Sequence, residues 1–427
     1  METKKNYTLP IIMMILLFGM ISFVTNLAAP MGVVLKNQFS VSNAMGMLGN
    51  MANFIAYAVM GIPGGILLQR IGYKKTALLA IAIGFTGVLI QFLSGHAGQS
   101  SAMAIYLLGA FVAGFSMTLL NTVVNPMLNT LGGGGNKGNQ LIQVGGSFNS
   151  IFATLTPAFV GILIGEATSA QITDVFPVMY IAMGVFAVVF FVLLAVSIPE
   201  PHLERASESL GTLISGALQF RHFIFGALGI FVYVGVEVGT PYVMLYWLSD
   251  PAVSSVGAAA AGIVAGTYWF LMLIGRLVGA SIGGKVSSKT MLAAGSMVAV
   301  ILVILAIVSP TTTQVSVPAF EAGTLSFILT PVPINAIFLI LVGLCTSIMW
   351  GGIYNLAVEG LGKYVAVASG LFMVMVCGGG IIPAFQAWVA DLTGYLTSYW
   401  VIVAGFAYLL FYALIGSKNV NKNIKVD

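Results

Sequence analysis

Glu237 lies in Phe231-Val-Tyr-Val-Gly-Val-Glu237-Val-Gly-Thr-Pro-Tyr242, the middle of an apolar stretch long enough to cross a bilayer. A carboxylate at that depth costs a few kcal/mol or more unless it is protonated, paired or wetted, so it marks a functional site by default. Three roles are open to it: binding and releasing a proton, hydrogen-bonding a polar ligand, or serving as a fixed partner for a buried amide or tyrosine. The histidines do not compete for the first role, because His96, His202 and His222 fall at or beyond the ends of apolar stretches. Arg276 and Glu359 both lie towards the same ends of their stretches and are expected to form a structural ion pair, since an unpaired arginine there would be costly. No spacing of metal ligands, nucleophile triad or nucleotide fingerprint stands out, so neither an enzyme nor a cofactor is expected.

These side chains need elements to hold them. The chain has 427 residues, 59% hydrophobic and only 7% charged, with a mean hydropathy of +1.03. A soluble domain carries about 25% charged residues, which identifies an integral membrane protein. Twelve apolar stretches, each about as long as a spanning helix, cover 9–35, 44–68, 76–95, 103–128, 141–165, 175–198, 222–248, 257–283, 290–309, 333–359, 365–390 and 396–416. Of 16 lysines and arginines, all but Lys36 and Arg276 fall on one side, which by the positive-inside rule puts both termini in the cytoplasm, in a cytoplasmic (inner) membrane. The net charge of +4 is spread over many short loops and implies no nucleic acid. Cys345 and Cys377 fall inside spans and read as buried free thiols.

The longest polar stretch on the cytoplasmic side divides the spans six and six. This predicts a first half over 1–198, a linker over 199–220, a second half over 221–417 and a tail over 418–427. Glu200, Glu204 and Glu208 in the linker read as solvated charges. The halves echo each other. Lys75-Thr-Ala-Leu-Leu-Ala80 recurs as Lys289-Thr-Met-Leu-Ala-Ala294; Asn125 with Leu131-Gly132 recurs as Asn355 with Leu361-Gly362; and Pro157-Ala-Phe159, trailed by Glu166, recurs as Pro383-Ala-Phe385, trailed by Asp391. Gly61 to Gly65, Gly279 to Gly284 and Gly378 to Gly380 place small residues where helices must approach closely. The run Gly132 to Gly135 reads as a connector, and 310–332 is a longer extracellular loop without a legible role.

Gly65-Ile-Leu-Leu-Gln69-Arg70-Ile-Gly72-Tyr73-Lys74-Lys75 resembles the signature loop between the second and third spans of the major facilitator superfamily. The resemblance implies an all-α membrane protein of twelve helices in two pseudo-symmetric halves, with a substrate site between them. It also implies that Arg70, Lys74 and Lys75 belong to a cytoplasmic latch, although Gln69 stands where the family has an aspartate. A narrower set is similar to the fucose–galactose–glucose:proton symporter family: Asn121-Thr-Val-Val-Asn125-Pro126 through Gly132, Gln143, Ser147-Phe-Asn149-Ser150, Tyr233 to Val238, Gly275-Arg276 and Leu356 to Lys363. That family's fucose carriers have an aspartate at the position of Ala29 and a glutamate at that of Asn121, so the acidic pair is missing here.

The resemblance implies transport of a neutral monosaccharide such as fucose, galactose or glucose by alternating access. A proton, or sodium in its place, would be coupled through Glu237 in a monomer embedded in lipid. A sugar site needs amides, which both donate and accept, and aromatic faces for the ring. Candidates are Asn26, Asn53, Tyr57, Asn121, Asn125, Gln143 and Asn149 in the first half. The second half offers Tyr233, Tyr268, Trp269, Asn355 and Gln386, with Tyr242 and Trp350 as weaker candidates. The structural alternative is that these amides bridge helices, each contributing about 0.6 to 2 kcal/mol. Ion-independent sugar diffusion, export of amphipathic compounds and a non-transporting sensor are the remaining readings.

Overall fold

The computed structural model describes residues 7–131, 135–164, 169–198, 200, 210–254, 256–282, 286–321, 326–421 and 424. Among these residues twelve helical segments have the length and hydropathy to cross a membrane, the number expected. They are span 1 (Thr8–Gln38), span 2 (Leu48–Ile71), span 3 (Tyr73–Ser94), span 4 (Gln99–Leu128), span 5 (Val144–Ile164) and span 6 (Ile172–Ala195). The second set is span 7 (Arg221–Ser249), span 8 (Gly257–Gly279), span 9 (Ser288–Val308), span 10 (Ile334–Val358), span 11 (Val367–Thr393) and span 12 (Tyr395–Gly416). Spans 1–6 pack chiefly on one another, as do spans 7–12, and the sets meet mainly where span 5 lies on span 8 and span 2 on span 11. Of each span's apolar window, 67% is buried in spans 1 and 7 but only 33% in spans 6 and 9, so the former pair lies at the centre and the latter faces lipid.

Three features depart from the simple pattern. Span 10 is two helices, Ile334–Thr346 and Met349–Val358. At the break the Ser347 hydroxyl donates to the Leu344 carbonyl (2.6 Å) and Thr346 donates to Val342 and Gly343, and such side-chain bonds compete with the helical ladder. Span 11 is likewise broken between Met375 and Gly378, ahead of three glycines, the weakest helix formers after proline. The supposed loop after span 9 forms an antiparallel hairpin of β1 (Gln314–Glu321) and β2 (Ser326–Pro333), with Gln314 opposite Pro333 and Glu321 opposite Ser326. In the linker, Leu210–Ala217 is a short helix that sets Gly216 against the Tyr364 ring.

Small residues let the two sets of spans approach. A Cβ on Gly161 of span 5 would lie 3.2 Å from the α carbon of Gly262 on span 8, and one on Gly380 of span 11 would lie 2.9 Å from the α carbon of Met51 on span 2. The Gly61 position of span 2 likewise faces Val374 of span 11, while Gly279 of span 8 faces Ile348 of span 10 within the second set. Gly283, Gly284 and the run from Gly132 to Gly134 lie outside the described residues.

Candidate functional site

Glu237 stands near the midpoint of span 7 and is not isolated. Its Oε1 accepts a hydrogen bond from the Tyr233 hydroxyl one turn away (2.8 Å) and lies 3.8 Å from Nη2 of Arg276 on span 8. Arg276 therefore pairs with Glu237 and not with Glu359, which is exposed and offers its main-chain carbonyl to His222 Nε2 at 2.9 Å. The reason is directional. Span 8 begins on the side opposite the termini, and helical side chains lean towards their own N-terminus, so Arg276 reaches up to mid-membrane. Its other guanidinium nitrogen crosses to the first set of spans, donating to the Gly146 carbonyl (2.8 Å) and the Ser150 hydroxyl (2.9 Å) of span 5. One cation thus ties the membrane-centre acid to the other half.

Aromatic side chains close the walls around this pair. Tyr268 donates to the Glu237 carbonyl (3.1 Å), lies 3.1 Å from the Thr346 hydroxyl and meets Trp269 edge-on at 5.1 Å. The Tyr233 ring lies 6.2 Å from that of Trp350. Tyr242 reaches across to donate to the Thr25 carbonyl of span 1 (2.8 Å), beside Asn26.

The first half supplies several amides that bond within and between its helices. Asn121 donates to the Tyr57 hydroxyl (2.8 Å), Asn125 donates to the Asn121 carbonyl (3.0 Å), and Asn149 donates to the Phe18 carbonyl (3.2 Å). Asn26 spends its NH₂ on Ser22, leaving its buried Oδ1 without a protein partner among the described residues. The same holds for Asn53 Oδ1, Trp269 Nε1 and both polar atoms of the fully buried Gln386. Most buried polar groups are paired; these atoms are free to meet a hydroxyl or water, as are those of Gln91, Ser296 and Tyr412 outside the candidate site. Two candidates lie apart: Asn355 is exposed on the second helix of span 10, and the Gln143 side chain lies outside the described residues.

The side opposite the termini carries a polar lock that sequence reasoning missed. Lys36, at the end of span 1, donates to Asp250 at the end of span 7 (2.8 Å) and to Tyr395 at the start of span 12 (2.7 Å). Tyr395 in turn bonds Asp250 (2.8 Å) and Asn43 Oδ1 (2.9 Å), while Asp391 accepts from the amides of Asn43 and Ala44, both at 2.9 Å. Asn50 of span 2 donates to the Gly379 carbonyl on span 11 (2.8 Å). Burial pushes the Asp250 carboxyl up, but bonds from Lys36, Tyr395 and the Ala252 amide outweigh it and hold it below its usual range. The available signals were Lys36, the one cation placed on the side opposite the termini, and Asp391, trailing the repeated Pro-Ala-Phe motif.

On the side of the termini the expected latch is local. Lys74 Nζ donates to the Leu194 carbonyl (2.8 Å), and Arg70 and Lys75 are exposed; among the described residues none of the three bonds the second half. Glu200 is not a free surface charge: it accepts from the Tyr73 amide (2.7 Å) and the Lys74 amide (3.0 Å), capping span 3 where the helix dipole favours an anion. The hydrogen bonds and ion pairs seen between the halves among the described residues lie at the level of Arg276 or on the side opposite the termini.

The sequence matches the family model described as Major Facilitator Superfamily over residues 11–384. It is 29% identical to the glucose/galactose transporter of Brucella abortus biovar 1 (strain 9-941), over 98% of this chain and 96% of that protein. It is 22% identical to the L-fucose-proton symporter of Escherichia coli (strain K12), over 92% of this chain and 89% of the other. Among solved structures, a D-xylose-proton symporter superimposes with a TM-score of 0.71 at 14% identity, covering 98% of this chain and all of that one.

Proposed function

Because the chain belongs to the Major Facilitator Superfamily, and is a transporter rather than an enzyme, we propose that it imports a neutral monosaccharide by alternating access, driven by protons that bind Glu237. The relatives are named for glucose, galactose and fucose, and the walls of amides and aromatic rings suit such a molecule. Both termini then face the cytoplasm of a cell with an inner membrane.

The observation that carries proton coupling is the Glu237–Arg276–Ser150 connection, since it joins a titratable group to the contact between halves. With Glu237 ionised, Arg276 is held between the acid and span 5. Protonation removes the negative partner, frees the guanidinium and lets spans 5 and 8 change their contact. The substrate's hydroxyls would meanwhile satisfy Asn26, Asn121 and Gln386. The first-half positions Ala29 and Asn121 carry no acid, so in this reading coupling rests on Glu237.

Purified protein in liposomes tests this. An inward proton gradient should drive uphill accumulation of one of fucose, galactose or glucose. Glu237→Gln should abolish accumulation while keeping exchange of sugar across the membrane. Accumulation unchanged in Glu237→Gln would refute coupling through this residue, and downhill uptake insensitive to any ion gradient would identify a facilitator. Coupling to sodium would appear as accumulation that follows a sodium gradient instead.

A further inference from the structure

The hairpin between spans 9 and 10 has two faces, and both carry apolar side chains. Val317, Thr330 and Val332 are buried against the helices, and Ile328 packs on Ala158 of span 5 and Ile263 of span 8. Strand residues alternate between faces, so the residues between these point away from the buried side. They are Leu329, 73% exposed, Pro331, and Pro318, which pairs with Leu329 across the ladder. Phe327, 54% exposed, joins them, its ring 5.4 Å from that of Phe270 further along span 8. The polar Gln314 and Ser316 share this face at the end of the strands nearer the helices. A face wholly in water shows polar residues throughout, whereas here Gln314 and Ser316 at one end give way to Pro318, Leu329 and Phe327 at the other. A lone two-stranded ribbon is also marginal in water. From Thr311 to Pro333 the only charged residue is Glu321.

The position of the hairpin says what covers this second face. The apolar side chains of Phe159 and Ile162, exposed on span 5 next to Ala158, belong to the surface that spanning helices show to lipid. The outer face of the hairpin continues that surface at the end of the bundle opposite the termini. An open sheet edge does not persist in hydrocarbon, because its amides and carbonyls have no partner there. The ribbon must therefore lie shallow, at a depth where its edges reach headgroup water and its apolar face reaches acyl chains.

We propose that the hairpin Gln314–Pro333 is a membrane-interface element that inserts its Leu329–Pro318 face into the leaflet opposite the termini, beside the seam where spans 5 and 8 join the two halves. Its partner is the lipid surface itself. The inference is independent of what the protein transports.

The test uses the full chain in phosphatidylcholine vesicles, with Cys345 and Cys377 replaced by serine and a fluorescent thiol label on Leu329→Cys. Pro318→Cys serves as a second site on the same face and Thr312→Cys as a water-exposed control. Lipids brominated in their acyl chains should quench the labels at 329 and 318 by about twofold or more, as for an apolar face buried in the acyl boundary, and leave the label at 312 bright. Aqueous iodide should do the reverse. Quenching of 329 and 318 by iodide and not by bromolipid would overturn the proposal. So would efficient cross-linking of Leu329→Cys between two chains together with protection from bromolipid, which would assign this face to a second copy of the protein.

Discussion

The arginine beside Glu237 sets the energetics of the centre. Arg276→Gln leaves a carboxylate near mid-membrane with only a tyrosine, and breaking a buried pair from one side costs about 3 kcal/mol, somewhat less here because both side chains keep partial contact with water. Thermal unfolding in detergent should show that loss, and the double variant Arg276→Gln/Glu237→Gln should recover most of it. If the double variant is as unstable as the single, the pair is not what Arg276 contributes. Tyr57→Phe removes the acceptor of the Asn121 amide; it should cost about 0.6 kcal/mol and raise the KM for sugar uptake more than it lowers kcat. Glu237 was legible in the sequence because a lone acid in an apolar stretch has few readings. Its partner was not: Arg276 and Glu359 share a level along the chain pattern, but side-chain lean along span 8 carries the guanidinium away from Glu359. The orphaned ends of Asn26 and Gln386 were equally hidden, since a sequence shows an amide but not which of its atoms is paired.

At the scale of elements, the lock of span 1, span 7 and span 12 and the close approach of spans 2 and 11 work together to shut one side. Asp250→Asn removes the charge that Lys36 meets at 2.8 Å, and a pair this accessible contributes at most about 1 kcal/mol. The result should be a several-fold rise in labelling of cysteines placed in the cleft by a reagent added opposite the termini. The pH dependence has a definite sign. The Asp250 pKa is held below its ordinary value in the closed state, so the lock stabilises closure above about pH 4 and weakens as pH falls through the lowered value; accessibility of the same cysteines in acid checks it. Gly380→Ala should favour opening at every pH, because the added carbon meets Met51 main chain at 2.9 Å. Sequence pattern predicted that Gly378 to Gly380 would be a close contact, for only glycine lets two helices approach so near. It could not predict the breaks in spans 10 and 11, which depend on hydroxyls bonding back to carbonyls and on glycine weakness at one point within long apolar runs.

For the whole molecule, hydropathy and the internal repeat carried the fold. Twelve apolar stretches of this length become helices in a bilayer, because the other arrangement that satisfies the backbone, a closed barrel, uses strands about half as long, and the repeated motifs implied two sets of six. The hairpin escaped notice because its short alternating strands resemble a polar loop interrupted by proline. The lopsided placement of lysine and arginine predicts orientation: an impermeant thiol reagent outside intact cells should label Thr312→Cys and spare Lys418→Cys until the membrane is opened, and the opposite pattern would invert the topology. One feature bears on turnover. The polar ties between halves sit almost wholly on one face, the face opposite the termini. A carrier held by these ties has to break them each time it turns round, and the expected outcome is that the return of the empty carrier limits net entry. Preloading the interior with sugar should therefore hasten influx, since a filled carrier returns faster than an empty one.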